Sequence, residues 1–162
     1  MSLLRPLVPA DHQAVLALNE RNVELLAPLD EARLVQLVAW AETAAALDVD
    51  GTFAGFVLTF GAGSPYDGEN FAWFSERYPD FTYLDRVVIH EDFRRRGLGT
   101  RVYDELEVAC GRPLFTLEVN IEPANEPSLA FHRARGFVDV GRRTIPHPSG
   151  DHDVTMMVKQ LT

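Results

Sequence analysis

The stretch that most narrows what this chain can fold into runs from Tyr83 to Thr100, YLDRVVIHEDFRRRGLGT. Its apolar, β-branched first part predicts a strand over Phe81–Ile89. A short charged connection follows, then Arg94-Arg95-Arg96 and Gly97-Leu98-Gly99, and from Gly97 a helical pattern runs to about Ala109. A strand delivered into a helix through so few residues, with glycines at the junction, specifies an α/β unit. The glycines let backbone N–H groups approach a ligand closely, and the helix start adds unsatisfied amides and the positive end of its dipole. Together with the arginines these make a cradle for a phosphate-like anion. The strand beside it can hold whatever that phosphate carries.

The remaining elements fit around this unit. Leu3–Val8 reads as a strand, Asp11 caps a helix reaching about Leu26, and Asp30 caps a second over Glu31–Trp40. Thr43–Val49 and Thr52–Phe60 are strands joined by the hairpin signal Asp50-Gly51. Gly61–Asp80 is irregular, with FAWFSERYP suiting a short helix. Then come a strand over Leu114–Val119, a helix over Glu126–Arg135 and strands over Phe137–Thr144 and Val154–Leu161. This order predicts one α/β domain over residues 1–162, a mixed sheet covered by helices.

Composition removes several classes of function. A net charge of −9 argues against a nucleic-acid partner, which demands a basic face. The N-terminus lacks a signal-peptide pattern and no apolar run approaches bilayer length, so a soluble cytoplasmic protein with no membrane partner is expected. Cys110 is the lone cysteine and cannot form a disulfide within the chain. It closes a predicted helix with no base nearby, which suits a small apolar residue better than a nucleophile. No metal is expected.

Two familiar phosphate motifs fail. A dinucleotide fingerprint needs a third glycine where Val102 stands, and a Walker loop needs a lysine after its second glycine, whereas Lys159 is the lone lysine. What remains, Arg94-x-x-Gly97-x-Gly99 between strand and helix, resembles the acetyl-coenzyme A motif of the GNAT superfamily of N-acetyltransferases. A second segment strengthens the likeness: Asn125-Glu126-Pro127-Ser128-Leu129-Ala130-Phe131-His132, then Gly136-Phe137. In that family an Asn opens the later helix, and Gly-Phe begins the next strand.

The resemblance implies a sheet that splays into a V-shaped cleft between the strands Tyr83–Ile89 and Leu114–Val119. Backbone groups of Val87, Val88 and Ile89 would pair with the pantetheine arm of acetyl-CoA. Arg94, and the amides of Arg95, Arg96, Gly97, Leu98, Gly99 and Thr100, would hold the pyrophosphate, with Asn125 and His132 touching the coenzyme arm. The implied reaction is acetyl transfer to the primary amine of a small molecule or amino acid, through a tetrahedral intermediate. Peptide or protein acetylation is an alternative, and a coenzyme A-binding sensor or partner module without catalysis is another. A homodimer is common among proteins of this kind.

For the base, Glu118 stands in an otherwise apolar strand and matches a family glutamate; the competing reading is a side chain turned to solvent. Asp85 is the second candidate, with a salt bridge to Arg86 as its plainer role. His132 occupies a position where the family frequently has a tyrosine acid, so it either donates a proton to sulfur or merely contacts the coenzyme. For the acceptor, Tyr66, Asn70, Trp73 and Phe74 are expected to form an aromatic seat for a cationic amine, with core packing as the plainer alternative.

Overall fold

Strand β5 shows how the layers are sorted. In the computed structural model, which describes residues 2–161, β5 spans Leu114–Glu122 and alternates strictly. Phe115, Leu117 and Val119 point to one face and are buried, while Thr116, Glu118 and Asn120 point to the other. The first face packs under α4 (Leu98–Ala109) and α5 (Glu126–Ala134), through Leu98, Val102, Tyr103, Leu106 and Leu129. The second packs under α1 (His12–Glu20), α2 (Glu31–Trp40) and α3 (Glu69–Ser75), through Val15, Leu18, Leu34, Leu37, Phe71 and Phe74. Helices therefore cover both faces of one sheet.

The sheet contains β1 (Leu4–Pro6), β2 (Thr43–Val49), β3 (Thr52–Gly61), β4 (Thr82–Ile89), β5, β6 (Val138–Ile145) and β7 (His152–Gln160), in the order β1-β2-β3-β4-β5-β7-β6. Every neighbouring pair is antiparallel except β4 and β5. Those two run parallel and pair only at Thr82–Phe115 and Tyr83–Thr116. Beyond Tyr83 they part. From Leu84 to Ile89, β4 keeps its ladder to β3 but has none on its other edge among the described residues. This is the expected splayed cleft.

Local chemistry accounts for the boundaries. Asp50 and Gly51 both take positive φ, which gives the tight turn between β2 and β3. The Asp30 carboxylate accepts from the Arg33 amide 2.8 Å away and caps α2. α1 ends at Glu20 rather than near Leu26, and side chains account for its early stop. Asn22 Nδ2 donates to the Leu18 carbonyl at 2.8 Å, and Asn19 Nδ2 donates to the Ala27 carbonyl at 3.0 Å. These bonds satisfy groups that another helical turn would have used, and they hold residues 21–28 as an irregular wall beside the cleft. No described helix is long and apolar enough to cross a membrane.

Candidate active site

The cleft between β4 and β5 continues into a cavity of about 720 Å³. β4 and β5 supply its floor, α4 and α5 one wall, and the 23–28 segment with the β6–β7 turn the other. Glu118 lies on the floor, half-buried. Its Oε1 accepts from the Tyr83 hydroxyl and from Asn70 Nδ2, the latter at 2.8 Å. Both of these donors fall on Oε1, and apart from the residue's own backbone amide no other described group bonds the carboxylate, which leaves Oε2 without a side-chain donor. Burial pushes the Glu118 carboxyl up from 4.5 to about 7; the Tyr83 hydrogen bond opposes this and the nearby Asp85 charge adds to it. A carboxylate so placed exchanges protons near neutrality.

Asn70 has a defined orientation. Its Oδ1 accepts a hydrogen bond from Arg143 of β6, whose guanidinium also meets Glu69 at 3.3 Å. An arginine can only donate, so it selects the amide oxygen and leaves the nitrogen for Glu118.

Asp85 and Arg86 are neighbours in a strand yet both turn toward the α1–α3 face. The register explains it: Leu58 pairs with Arg86 and Thr59 with Leu84, so Asp85 is an extra residue, a bulge. Arg86 Nε reaches Asp85 Oδ2 at 3.2 Å, and the Tyr66 hydroxyl donates to Asp85 Oδ1 at 2.8 Å. Arg86 also bonds Asn19 Oδ1 at 2.7 Å and the Ala27 carbonyl at 2.9 Å. Both oxygens of Asp85 are taken, and the ion-pair role weighed for it is the one its geometry serves. Although burial raises the Asp85 pKa, its proton acceptor sites already face protein donors.

His132 is also fully engaged. Its Nδ1 lies 2.7 Å from the Ser128 carbonyl, which can only accept, so Nδ1 carries the proton. Nε2 then accepts from the Tyr103 hydroxyl at 2.6 Å. Burial lowers the His132 pKa, which favours this neutral form. The proton-donor role entertained for His132 therefore finds no free N–H. The ring lines the cavity and anchors Tyr103, whose position on α4 sequence reasoning did not single out.

The aromatic seat is half as large as expected. Tyr66 and Asn70 line the cavity, but Phe74 is fully buried in the core and Trp73 packs over Gly141 under the Arg77 guanidinium. The period of α3 explains this correction: Phe71 and Phe74, three residues apart, face the sheet, which turns Trp73 toward β6. Sequence reasoning also missed Tyr83, Arg143 and the apolar 23–28 segment. Tyr83 alone carried a signal, a hydroxyl two residues from Asp85 in an apolar strand.

At the cleft mouth the glycine loop has the backbone of an anion cup. Arg95 and Gly97 both adopt positive φ, 63° and 72°, flanking Arg96. Alternation of this kind turns successive amides to one side, directly before the N-terminus of α4. Arg94 Nε ties the loop to the Ile89 carbonyl at 3.1 Å. Gly99 has neither a positive φ nor a neighbour that an added Cβ would meet, so only close approach of a ligand would require glycine there. Val87 and Asn125 line the cavity, and Asn125 caps α5 by accepting from the Ser128 amide at 3.3 Å. The Val88 side chain turns into the core on the α1–α3 face, and its backbone faces β3, where its carbonyl oxygen crowds Gly55; this corrects the expected pairing of Val88 with the pantetheine arm and leaves the open edge of β4 to Val87 and Ile89.

Known proteins share this architecture. The ribosomal-protein-S18-alanine N-acetyltransferase from Escherichia coli superimposes with a TM-score of 0.71 at 20% identity, over 100% of this chain and 95% of that one. NAA60 from Arabidopsis thaliana, in complex with acetyl-CoA, gives 0.71 at 17% identity over 97% and 98%. An N-acetyltransferase from Staphylococcus aureus Mu50 gives 0.73 at 15% identity over 98% of each chain. No curated protein sequence matches. The sequence profile of the acetyltransferase (GNAT) family, however, matches residues 14–137, most of the chain and all of the cleft-forming strands. With the splayed strands, the glycine cup and that match together, the chain belongs to the GNAT acetyltransferase family.

Proposed function

We propose that this protein transfers the acetyl group of acetyl-CoA to a primary amine, with Glu118 as the base. The observation that carries the reading is the single carboxylate oxygen of Glu118 left without a side-chain donor on the cleft floor, below the unpaired edge of β4. The amine nitrogen gives its proton to Glu118 and forms a bond to the acetyl carbon. The backbone N–H of Ile89, on the open edge of β4, receives the developing oxyanion. The carbon–sulfur bond then breaks, and coenzyme A leaves as thiolate, taking its proton from solvent or a cavity hydroxyl. The edge of β4 over Val87–Ile89 would hold the pantetheine arm, and the Arg95–Thr100 amides the pyrophosphate.

Calorimetric titration with acetyl-CoA, with NAD as control, tests the donor side. We expect micromolar binding of acetyl-CoA alone, and a loss of at least about tenfold in Gly97→Glu, which places a like charge and a disfavoured φ in the cup. Equal affinity in that variant would remove the cup from the coenzyme site. Binding without turnover over a broad amine panel would favour the sensor reading instead.

The Arg143–Asn70 contact makes a separate prediction. Without Arg143 the amide is free to turn its oxygen toward Glu118, which favours the protonated carboxyl. In Arg143→Met the acid limb of kcat/KM is expected to rise by about one pH unit, and Arg143→Lys to restore it. An unmoved limb would show that Asn70 holds its orientation without help.

A further inference from the structure

We infer that the acceptor is a primary amine with an apolar body and no carboxylate beside its nitrogen. This rests on Glu118 being the base, and it comes from the charges that meet an acceptor at that point. The walls above Glu118 on the acceptor side are largely apolar: Leu25, Leu26, Pro28, Pro146 and Pro148, with Tyr66 deeper in. Glu24 adds a second carboxylate to the same wall.

Cations are the deciding feature. Arg86 is the one arginine in the cavity lining among the described residues, and its guanidinium is spent on Asp85, Asn19 and the Ala27 carbonyl. Arg143, behind Asn70, is held by Asn70 and Glu69. The lining also holds three histidines: His132 is engaged by Ser128 and Tyr103, and His147 and His152 stack with centroids 4.5 Å apart and planes within 11°. His147 Nδ1 accepts from the Ser149 amide at 3.1 Å, so that nitrogen is engaged within the β6–β7 turn. Thus an ammonium finds Glu118, whereas a carboxylate on the next carbon would enter a partly closed space facing two carboxylates, with no unengaged arginine or lysine in the lining among the described residues. Desolvating an unpaired carboxylate is heavily disfavoured. An alkylamine or arylalkylamine meets these constraints, and so does a peptide N-terminus, where an amide replaces the carboxylate.

Matched compounds isolate the carboxylate. Phenethylamine, phenylalaninamide and phenylalanine, with ethylamine, alaninamide and alanine as a small-bodied set, would each be given with acetyl-CoA at pH 8 and followed by thiol release. The amine or the amide of a set is expected to exceed its amino acid in kcat/KM by at least about 100-fold. A preferred amine points to a free monoamine and a preferred amide to a peptide N-terminus; both support the inference. An amino acid equal to or better than its partners overturns it while leaving the transferase reading intact. Leu25→Arg, at an exposed wall position, supplies the missing cation and should raise the relative rate of the amino acids about tenfold. An unchanged ratio in that variant counts against the inference. If no compound releases thiol although acetyl-CoA binds, the transferase reading and this inference fall together.

Discussion

Glu118→Gln is expected to lower kcat by about 10²–10⁴-fold near neutral pH while acetyl-CoA affinity stays close to that of the parent. The glutamine oxygen can keep the hydrogen bonds from Tyr83 and Asn70, so the change removes a proton acceptor and little else. The deficit should shrink as the pH rises and more of the amine arrives unprotonated. A loss that is the same at every pH would move the base elsewhere. Stability should change in the opposite sense to activity. Because the folded protein holds the Glu118 proton up to about 7 rather than 4.5, it is destabilised as the pH climbs through that window and the buried carboxyl ionises. At 1.36 kcal/mol per pH unit, the full rise bounds this cost at on the order of 3 kcal/mol, and water in the cavity screens part of it. The glutamine variant should therefore unfold at higher urea concentration than the parent above pH 7, and at nearly the same concentration below pH 4.5. An enzyme that grows more stable when it loses its base is what a strained, functional carboxylate predicts.

The second large effect is expected in the sheet. Gly55→Val should cost at least about 3 kcal/mol and weaken acetyl-CoA binding together. Gly55 sits opposite Ile89, and a Cβ built on it runs into the Val88 carbonyl oxygen and to within 3.1 Å of the Ile89 Cα. Those atoms are backbone and cannot rotate aside, so β3 and β4 must separate where the coenzyme arm is expected to lie. Gly111→Ala, at a position with open space and no positive φ, is the control and should remain within about 0.5 kcal/mol of the parent. Urea denaturation and calorimetry of the same preparations provide both measurements. A Gly55 variant as stable as the parent would mean that the two strands tolerate a wider spacing than their register suggests.

The residues that announced themselves in the sequence did so through backbone requirements. Gly97 at a strand–helix junction, Asp50-Gly51 between two strands, and Asp30 ahead of a helical pattern each demand a local conformation, and the fold follows from them with small shifts at the ends. Glu118 was legible because a charge in an apolar strand needs a reason. What the sequence hid depends on contacts across long separations. The Arg143–Asn70 pairing spans 73 residues and the Tyr103–His132 pairing 29, and no periodicity marks either. The bulge at Asp85 was equally silent, since an extra residue in a strand looks like any other until its partner strand is known. The early end of α1 was missed because the helical pattern continues past Glu20, while the asparagines that stop it act through carbonyls brought near by the fold. Trp73 and Phe74 were assigned by composition alone, and the phase of a seven-residue helix decided against them.

The two-residue pairing of β4 with β5 gives the sheet a hinge instead of a seam. On one side stand β1 to β4, on the other β5, β7 and β6, and the ladder joining the halves ends at Tyr83. An extended molecule laid along the open edge of β4 would restore part of the missing ladder and brace the two leaves against each other. The acceptor wall draws on both leaves, so a donor seated along β4 is expected to tighten acceptor binding, and the acceptor to tighten donor binding by the same factor.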